Sequence, residues 1–263
     1  MVASVIARFS KRFSVAIIGA IACCFVLALA WGGYALVAWL GYGTLGVDRH
    51  PDALLDRFMP GYEIAERHET RVAAPAGVTY AAACAFDLQQ SGVIQAIFRG
   101  RDVLMHAPHD DKPLPTQLLA QTLQLGWRVL AEDPGHELVM GAVTQPWEHD
   151  VTFHGLPPDR FTAFDESGYA QIVWTISAEP IDRRSSVFRT ITRVRTTDPE
   201  ARRKFRRYWS VYSPGILLIR SEALRVVKRE AERRYRDGGD IAPAPCRNIE
   251  RGGGHQDRIQ RPA

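Results

Sequence analysis

The chain has 263 residues, of which 46% are hydrophobic and 24% charged, and its net charge is +4. This ordinary globular composition excludes collagen-like and wholly disordered classes. The positive excess is local: twelve Lys or Arg and three Glu lie between Ala201 and Arg236, as a helix face or interaction stripe would place them, and it does not by itself imply nucleic acid.

From Phe13 to Leu45 there is no charged residue. A bilayer core about 30 Å thick needs roughly 20 apolar residues in a helix, so residues 13–45 read as a transmembrane anchor after a short N-terminal tail, 1–12. Arg8, Lys11 and Arg12 precede the run, which by the positive-inside tendency puts the N-terminus in the cytoplasm and the rest of the chain across the membrane. Trp31, Tyr34, Trp39 and Tyr42 cluster toward the far end, where aromatic rings favour the interface. A cleaved signal peptide is the rival reading, because Ala28-Leu29-Ala30 has the small-x-small pattern of a cleavage site. The apolar run continues through Trp31–Leu40, which favours an uncleaved anchor.

Residues 46–61 form a linker, with a short linker or helix at His50–Met59 before the Pro60-Gly61 turn. Tyr62–Ala73 alternates: Tyr62, Ile64, Glu66, His68, Thr70 and Val72 share one face, and the many charges suggest an edge strand. Helices are expected at Val78–Leu88 and Val93–Phe98, a loop at His106–Pro115, and a short helix at Leu118–Leu125. Trp127–Glu132 and Glu137–Thr144 read as a hairpin joined by Asp133-Pro134-Gly135-His136. A bend is expected at Gln145–His149 and a further strand at Arg160–Phe164.

Tyr169–Ala178 and Ser186–Thr197 alternate cleanly and make a long hairpin. In the second strand Phe188, Thr190, Thr192, Val194 and Thr196 share a face, while Arg189, Ile191, Arg193 and Arg195 share the other. The arginine face is expected to be wet and the threonine face inward, where it could line a cavity. Asp198-Pro199-Glu200 has the N-cap, first-turn proline and acidic residue of a helix start. The stripe Phe205, Trp209, Tyr212, Ile216, Ile219, Ala223, Val226 then keeps helical phase through Pro214-Gly215, predicting one long kinked helix. The tail, 237–263, has little to bury and is expected to be disordered.

The four cysteines give no disulfide framework. Cys23 and Cys24 lie in the apolar run, and Cys84 and Cys246 have no compelling relation. The compartment is not legible from them.

This order of strand, two helices, antiparallel strands and long C-terminal helix resembles the helix-grip fold of the START-like (SRPBCC) superfamily. Arg71-Val72-Ala73-Ala74-Pro75-Ala76-Gly77-Val78-Thr79-Tyr80 is similar to its opening strand, Ala-Pro, helix signature. The similarity spans residues 62–236 and implies an α+β fold whose sheet wraps the last helix around a hydrophobic cavity. It implies no reaction, because the superfamily includes carriers, cyclases, receptors and oxygenase subunits.

Trp127, Trp147, Trp174, Phe188, Thr190, Thr192, Trp209 and Tyr212 are the candidate cavity residues. Such residues are also ordinary core, and here the two readings overlap. Arg202, Arg203, Arg206 and Arg207, interleaved with Phe205, Tyr208 and Trp209, are candidates for an anionic surface, with a solvated helix face as the plain alternative. Glu148, His149 and Asp150, with His154, could do acid–base work but also suit a solvated corner. His106, His109, Asp110 and Asp111 suit a flexible loop better than a metal site. No catalytic residue, metal or cofactor is assigned. The expected partners are the membrane, a hydrophobic small molecule or lipid, and anionic lipid headgroups, without nucleic acid. The favoured reading is a membrane-anchored binding domain. A cyclase or hydrolase using the same cavity, and an interaction module docking through its basic helix, are the alternatives.

Overall fold

The computed structural model describes residues 2–43, 52–106, 115, 117–238 and 246. Helix α1, Val2–Leu40, opens the chain. Within it Ile17–Leu40, 24 residues of mean hydropathy 2.1, is long and apolar enough to cross a membrane, and no residue of its most apolar stretch is buried. After the short helix α2, Ala53–Asp56, come β1 (Ile64–Val72), α3 (Ala76–Cys84), α4 (Gly92–Met105) and α5 (Leu118–Gln124). Strands β2 (Arg128–Asp133), β3 (Glu137–Thr144) and β4 (Phe153–His154) lead to α6, Pro158–Thr162. The hairpin β5 (Ala170–Pro180) and β6 (Ser186–Thr196) precedes α7, Pro199–Arg236. Arg160–Phe164, expected as a strand, falls largely in α6. Pro158 at its start presets a helical φ, and Phe161 packs into the core.

All strand pairings are antiparallel, in the order β1-β6-β5-β3-β2, with β4 paired to β3. The first strand of the domain is therefore an edge, as its charges suggested. Helix α7 packs on β1, β6 and β5, with α3 and α4 beside it. This is the helix-grip α+β fold. Asp198 caps α7 by accepting from Glu200 N at 2.7 Å and Ala201 N at 3.0 Å, and the helix runs through Pro214 without a break. Of the expected stripe, Phe205 and Trp209 are buried and Ile216, Ile219, Ala223 and Val226 pack half-buried against the clusters, while Tyr212 stands outside them. Beyond Ile219 the buried positions are Leu224, Val227 and Ala231.

Both faces of the sheet are covered, and here one expectation fails. The face of β6 with Arg189, Ile191, Arg193 and Arg195 is not simply wet: α2 and the residues after it lie over it. Leu55, Phe58 and Met59 join Leu130, Val139, Phe161, Val173 and Ile191 in one apolar cluster. Arg193 is 1% exposed. Its Nη1 donates to Asp56 Oδ1 at 2.6 Å and to the Met59 carbonyl at 3.1 Å, and its guanidinium lies 4.5 Å from the Tyr62 ring centroid. A buried cation persists only where such partners replace water. Arg195 is held by Gln171 Oε1 at 2.8 Å, and Arg189 pairs with Glu69 and Glu179.

A second correction concerns the cysteines. Cys84, at the end of α3, and Cys246 form a disulfide with their Cα atoms 5.6 Å apart, within the usual range for such a bond. Cys246 is 1% exposed, and its N–H donates to Glu132 Oε1 at 3.1 Å. The tail expected to be free is thus tied back at this residue. Its other residues from 239 on lie outside the described set.

Asp56→Ala would leave the Arg193 guanidinium buried without its counter-charge. The expected loss is about 1–3 kcal/mol in urea unfolding, and an unchanged midpoint would mean that Met59 and Tyr62 suffice. Cys246→Ser opens a 162-residue link. It should lower stability by about 2–4 kcal/mol, read as a lower melting temperature, with the bond in the native chain detected by non-reducing peptide mapping.

Candidate functional site

The inner face of the sheet, the one toward α7, carries two apolar clusters. One gathers Val72, Phe188, Ile176, Leu138 and Met140 under α3 and the C-terminal half of α7. The other gathers Ile64, Val194 and Ala170 under Phe205 and Trp209, with Tyr42 added from beyond α1. Between them the inward row of the sheet reads Glu66 on β1, Thr192 on β6, Trp174 on β5 and Met140 on β3, paired strand to strand. His68 and its partner Thr190 stand beside this row. Glu66, His68, Thr190, Trp174 and the neighbouring Ile172 are only half-buried, whereas Phe188, Val194, Ala170 and Ala178 on the same strands are buried. An inward face that is sealed at its ends and half-open at its middle has a gap there.

Helix α7 supplies Arg220 to this belt. Arg220 Nη1 is sealed from solvent yet has no hydrogen-bond partner among the described residues, and the same is true of His68 Nδ1. Burial pushes the Arg220 pKa down to about 10, with the Glu66 charge opposing, so the guanidinium stays charged at neutral pH. Burial raises the Glu66 carboxyl above its usual range, with Arg220 opposing. Burial and then the Arg220 charge both lower His68. The belt therefore holds one lasting positive charge beside two groups biased toward neutrality.

Trp127 and Trp174 border the gap in edge-to-face contact, with ring centroids 6.2 Å apart. Trp127 is stacked on Phe153 at 5.0 Å. The close approach needs Gly126, whose φ is +96° and where a Cβ would meet the Phe153 carbonyl oxygen at 2.1 Å.

The predicted cavity residues divide. Trp127, Trp174, Thr190 and Thr192 lie at the gap, and Phe188 closes one end of it within the first cluster. Trp209 is buried in the second cluster with Trp147 against it. Trp147 and Tyr212 instead line an open groove of about 430 Å³ with Met105, Tyr208 and Val211, rimmed by Lys204 and Arg207. Glu148, His149, Asp150 and His154 are exposed, as at a solvated corner. His106 caps α4 in the left-handed region at φ 53°, while His109, Asp110 and Asp111 lie outside the described residues. Among those residues no group of three metal-ligating side chains occurs.

The four arginines also divide. Arg206 donates to the Trp39 carbonyl from Nε at 2.8 Å and from Nη2 at 2.5 Å, with its guanidinium 4.2 Å from the Trp39 ring centroid. Arg202 lies over Tyr42 and 3.8 Å from Glu63, which accepts from Tyr42 OH at 2.7 Å. Those two arginines hold the end of α1 and the turn after it. Only Arg203 and Arg207 remain as a free basic surface from that set. Tyr34 of α1 meets Ser213 at 3.2 Å. Arg206, Ser213 and Arg220 are each seven residues apart, so the belt's cation shares the helix stripe on which α1 docks.

No family model matches this chain, and no curated protein matches it. Among solved structures, it is similar to norcoclaurine synthase from Thalictrum flavum in complex with dopamine and hydroxybenzaldehyde, at 13% identity, with 71% of this chain and 95% of that one covered and a TM-score of 0.30. It is likewise similar to the Zhui aromatase/cyclase from Streptomyces sp. R1128, at 16% identity, covering 67% and 98%, TM-score 0.24. The terminal oxygenase of carbazole 1,9a-dioxygenase from Novosphingobium sp. KA1 aligns at 14% identity, covering 77% and 60%, TM-score 0.34. At such scores the fold rests on the strand order and helix packing described above.

If Arg220 is kept for a ligand and not for packing, its removal should relieve the empty protein. Arg220→Met is expected to raise the melting temperature by the equivalent of about 1–2 kcal/mol, because an unsatisfied buried donor is lost. A fall of that size would make Arg220 a structural residue.

Proposed function

We propose that this chain is a membrane-anchored helix-grip domain that holds a hydrophobic small molecule or lipid in the gap between the sheet and α7. The observation that carries this reading is the half-open belt of Glu66, His68, Thr190, Ile172 and Trp174 between two sealed apolar clusters. A folded domain normally closes such a break with side chains, because unfilled apolar surface forfeits packing. Trp127 and Trp174 offer aromatic surface there, and few polar groups converge on it, the usual make-up of a small-molecule site.

The anchor is α1. Its span Ile17–Leu40 meets the length and hydropathy of a membrane crossing, and Trp39 and Tyr42 at its far end are gripped by Arg206 and Arg202. In our reading the N-terminus is cytoplasmic and the domain extracytoplasmic. The basic residues ahead of the span support this, as does the buried Cys84–Cys246 disulfide, since such bonds persist in oxidising compartments.

One observation favours a second reading, an enzyme of the cyclase or hydrolase kind: a carboxyl and an imidazole, Glu66 and His68, face the gap with shifted pKa values. A free interaction surface has less support, because Arg202 and Arg206 are engaged by the anchor end.

Native mass spectrometry of the full chain, released from nanodiscs, should find a small apolar molecule bound. Thr190→Phe, filling the gap from the sheet, should remove it while the circular dichroism spectrum is unchanged. A chain that carries nothing and takes up nothing would end the carrier reading. A bound molecule recovered chemically altered would favour the enzyme.

A further inference from the structure

From the belt's polar groups we infer that the ligand is an amphiphile with a carboxylate head, and that Arg220 and His68 receive this head between the two apolar clusters. This inference rests on the binding reading above and specifies its substrate class. Arg220 Nη1 and His68 Nδ1 are both closed off from water without a hydrogen-bond partner among the described residues. A guanidinium left so in a folded protein costs stability, and a planar carboxylate satisfies its fork of donors better than any neutral group.

Among the described residues, the acid that acts on this cation is Glu66 of the edge strand β1, and it makes no hydrogen bond to Arg220 Nη1. Burial raises its carboxyl above the usual range, and a carboxyl that takes up a proton can donate to a second carboxylate. His68 is likewise biased toward the neutral ring, which has one N–H to give. The buried Arg220 Nη1 has no acceptor among the described residues, so the belt attracts an anion and repels an ammonium head. The apolar body of the ligand would lie against Trp174 and Trp127, which border the same row.

The test uses the full chain in nanodiscs of zwitterionic lipid, with empty nanodiscs as the blank, in equilibrium dialysis against decanoate, decanol and decylamine. Decanoate should be retained more tightly than decanol by on the order of tenfold or more, and decylamine least. Arg220→Gln should bring decanoate down to the level of decanol and leave decanol where it was. Glu66→Gln should keep the preference for decanoate, which guards against a fold defect at Arg220. Equal retention of acid and alcohol by the native chain, a preference for the amine, or an intact acid preference in Arg220→Gln would each overturn the carboxylate assignment alone. If none of the three amphiphiles is retained above the blank, the binding reading falls with it.

Discussion

One 38-residue helix has to satisfy three neighbours at once, and the rest of the molecule is arranged around that constraint. Phe205, Trp209 and Val227 of α7 enter the clusters on the sheet. Arg206 and Ser213 face α1, while Gly215 and Glu222 face α4, where Ile97 and Ser91 meet them. A single helix can serve three sides only if each is served by its own stripe, repeating every three, four or seven residues. Removing the Cβ at position 215 lets α4 come close, since a methyl there would sit 3.2 Å from Ile97.

The sheet is buried on both faces, which is unusual for an antiparallel sheet with polar alternation. The outer layer consists of two very short helices, α2 and α6, whose Leu55 and Phe161 are completely buried. Short helices of this kind have almost no stability of their own. They are held by tertiary contacts, including the Gln171 side chain, which donates to the Phe161 carbonyl at 2.7 Å while accepting from Arg195. The polar outer row of β5 and β6 is thus a designed socket for that layer.

Much of this architecture was legible in the sequence. Alternation located β1, β5 and β6 to within a residue or two, the Asp133–His136 turn located β3, and the cap at Asp198 fixed the start of α7. What alternation cannot tell is which face receives a cover. The arginines of β6 read as wet because nothing in their own strand announces that α2 will bring Asp56 to Arg193. The disulfide was invisible for a related reason, since spacing carries no information across 162 residues. The belt was missed because its groups are single polar residues at inward positions. The available signal was the placement of Glu66 and His68 on the same face as Ile64 and Val72, and of Arg220 next to Ile219 within an apolar stripe. Charges in the wrong phase mark either a defect or a purpose.

The grip of Arg206 on the last turn of α1 has a mechanical consequence. Its guanidinium both caps the Trp39 carbonyl and lies over the Trp39 ring, so α1 is jointed to α7 at a point two heptads from Arg220. Any force that tilts α1 therefore acts on the same rod that roofs the belt, and the joint works as a lever arm between the N-terminal helix and the inner face of the sheet.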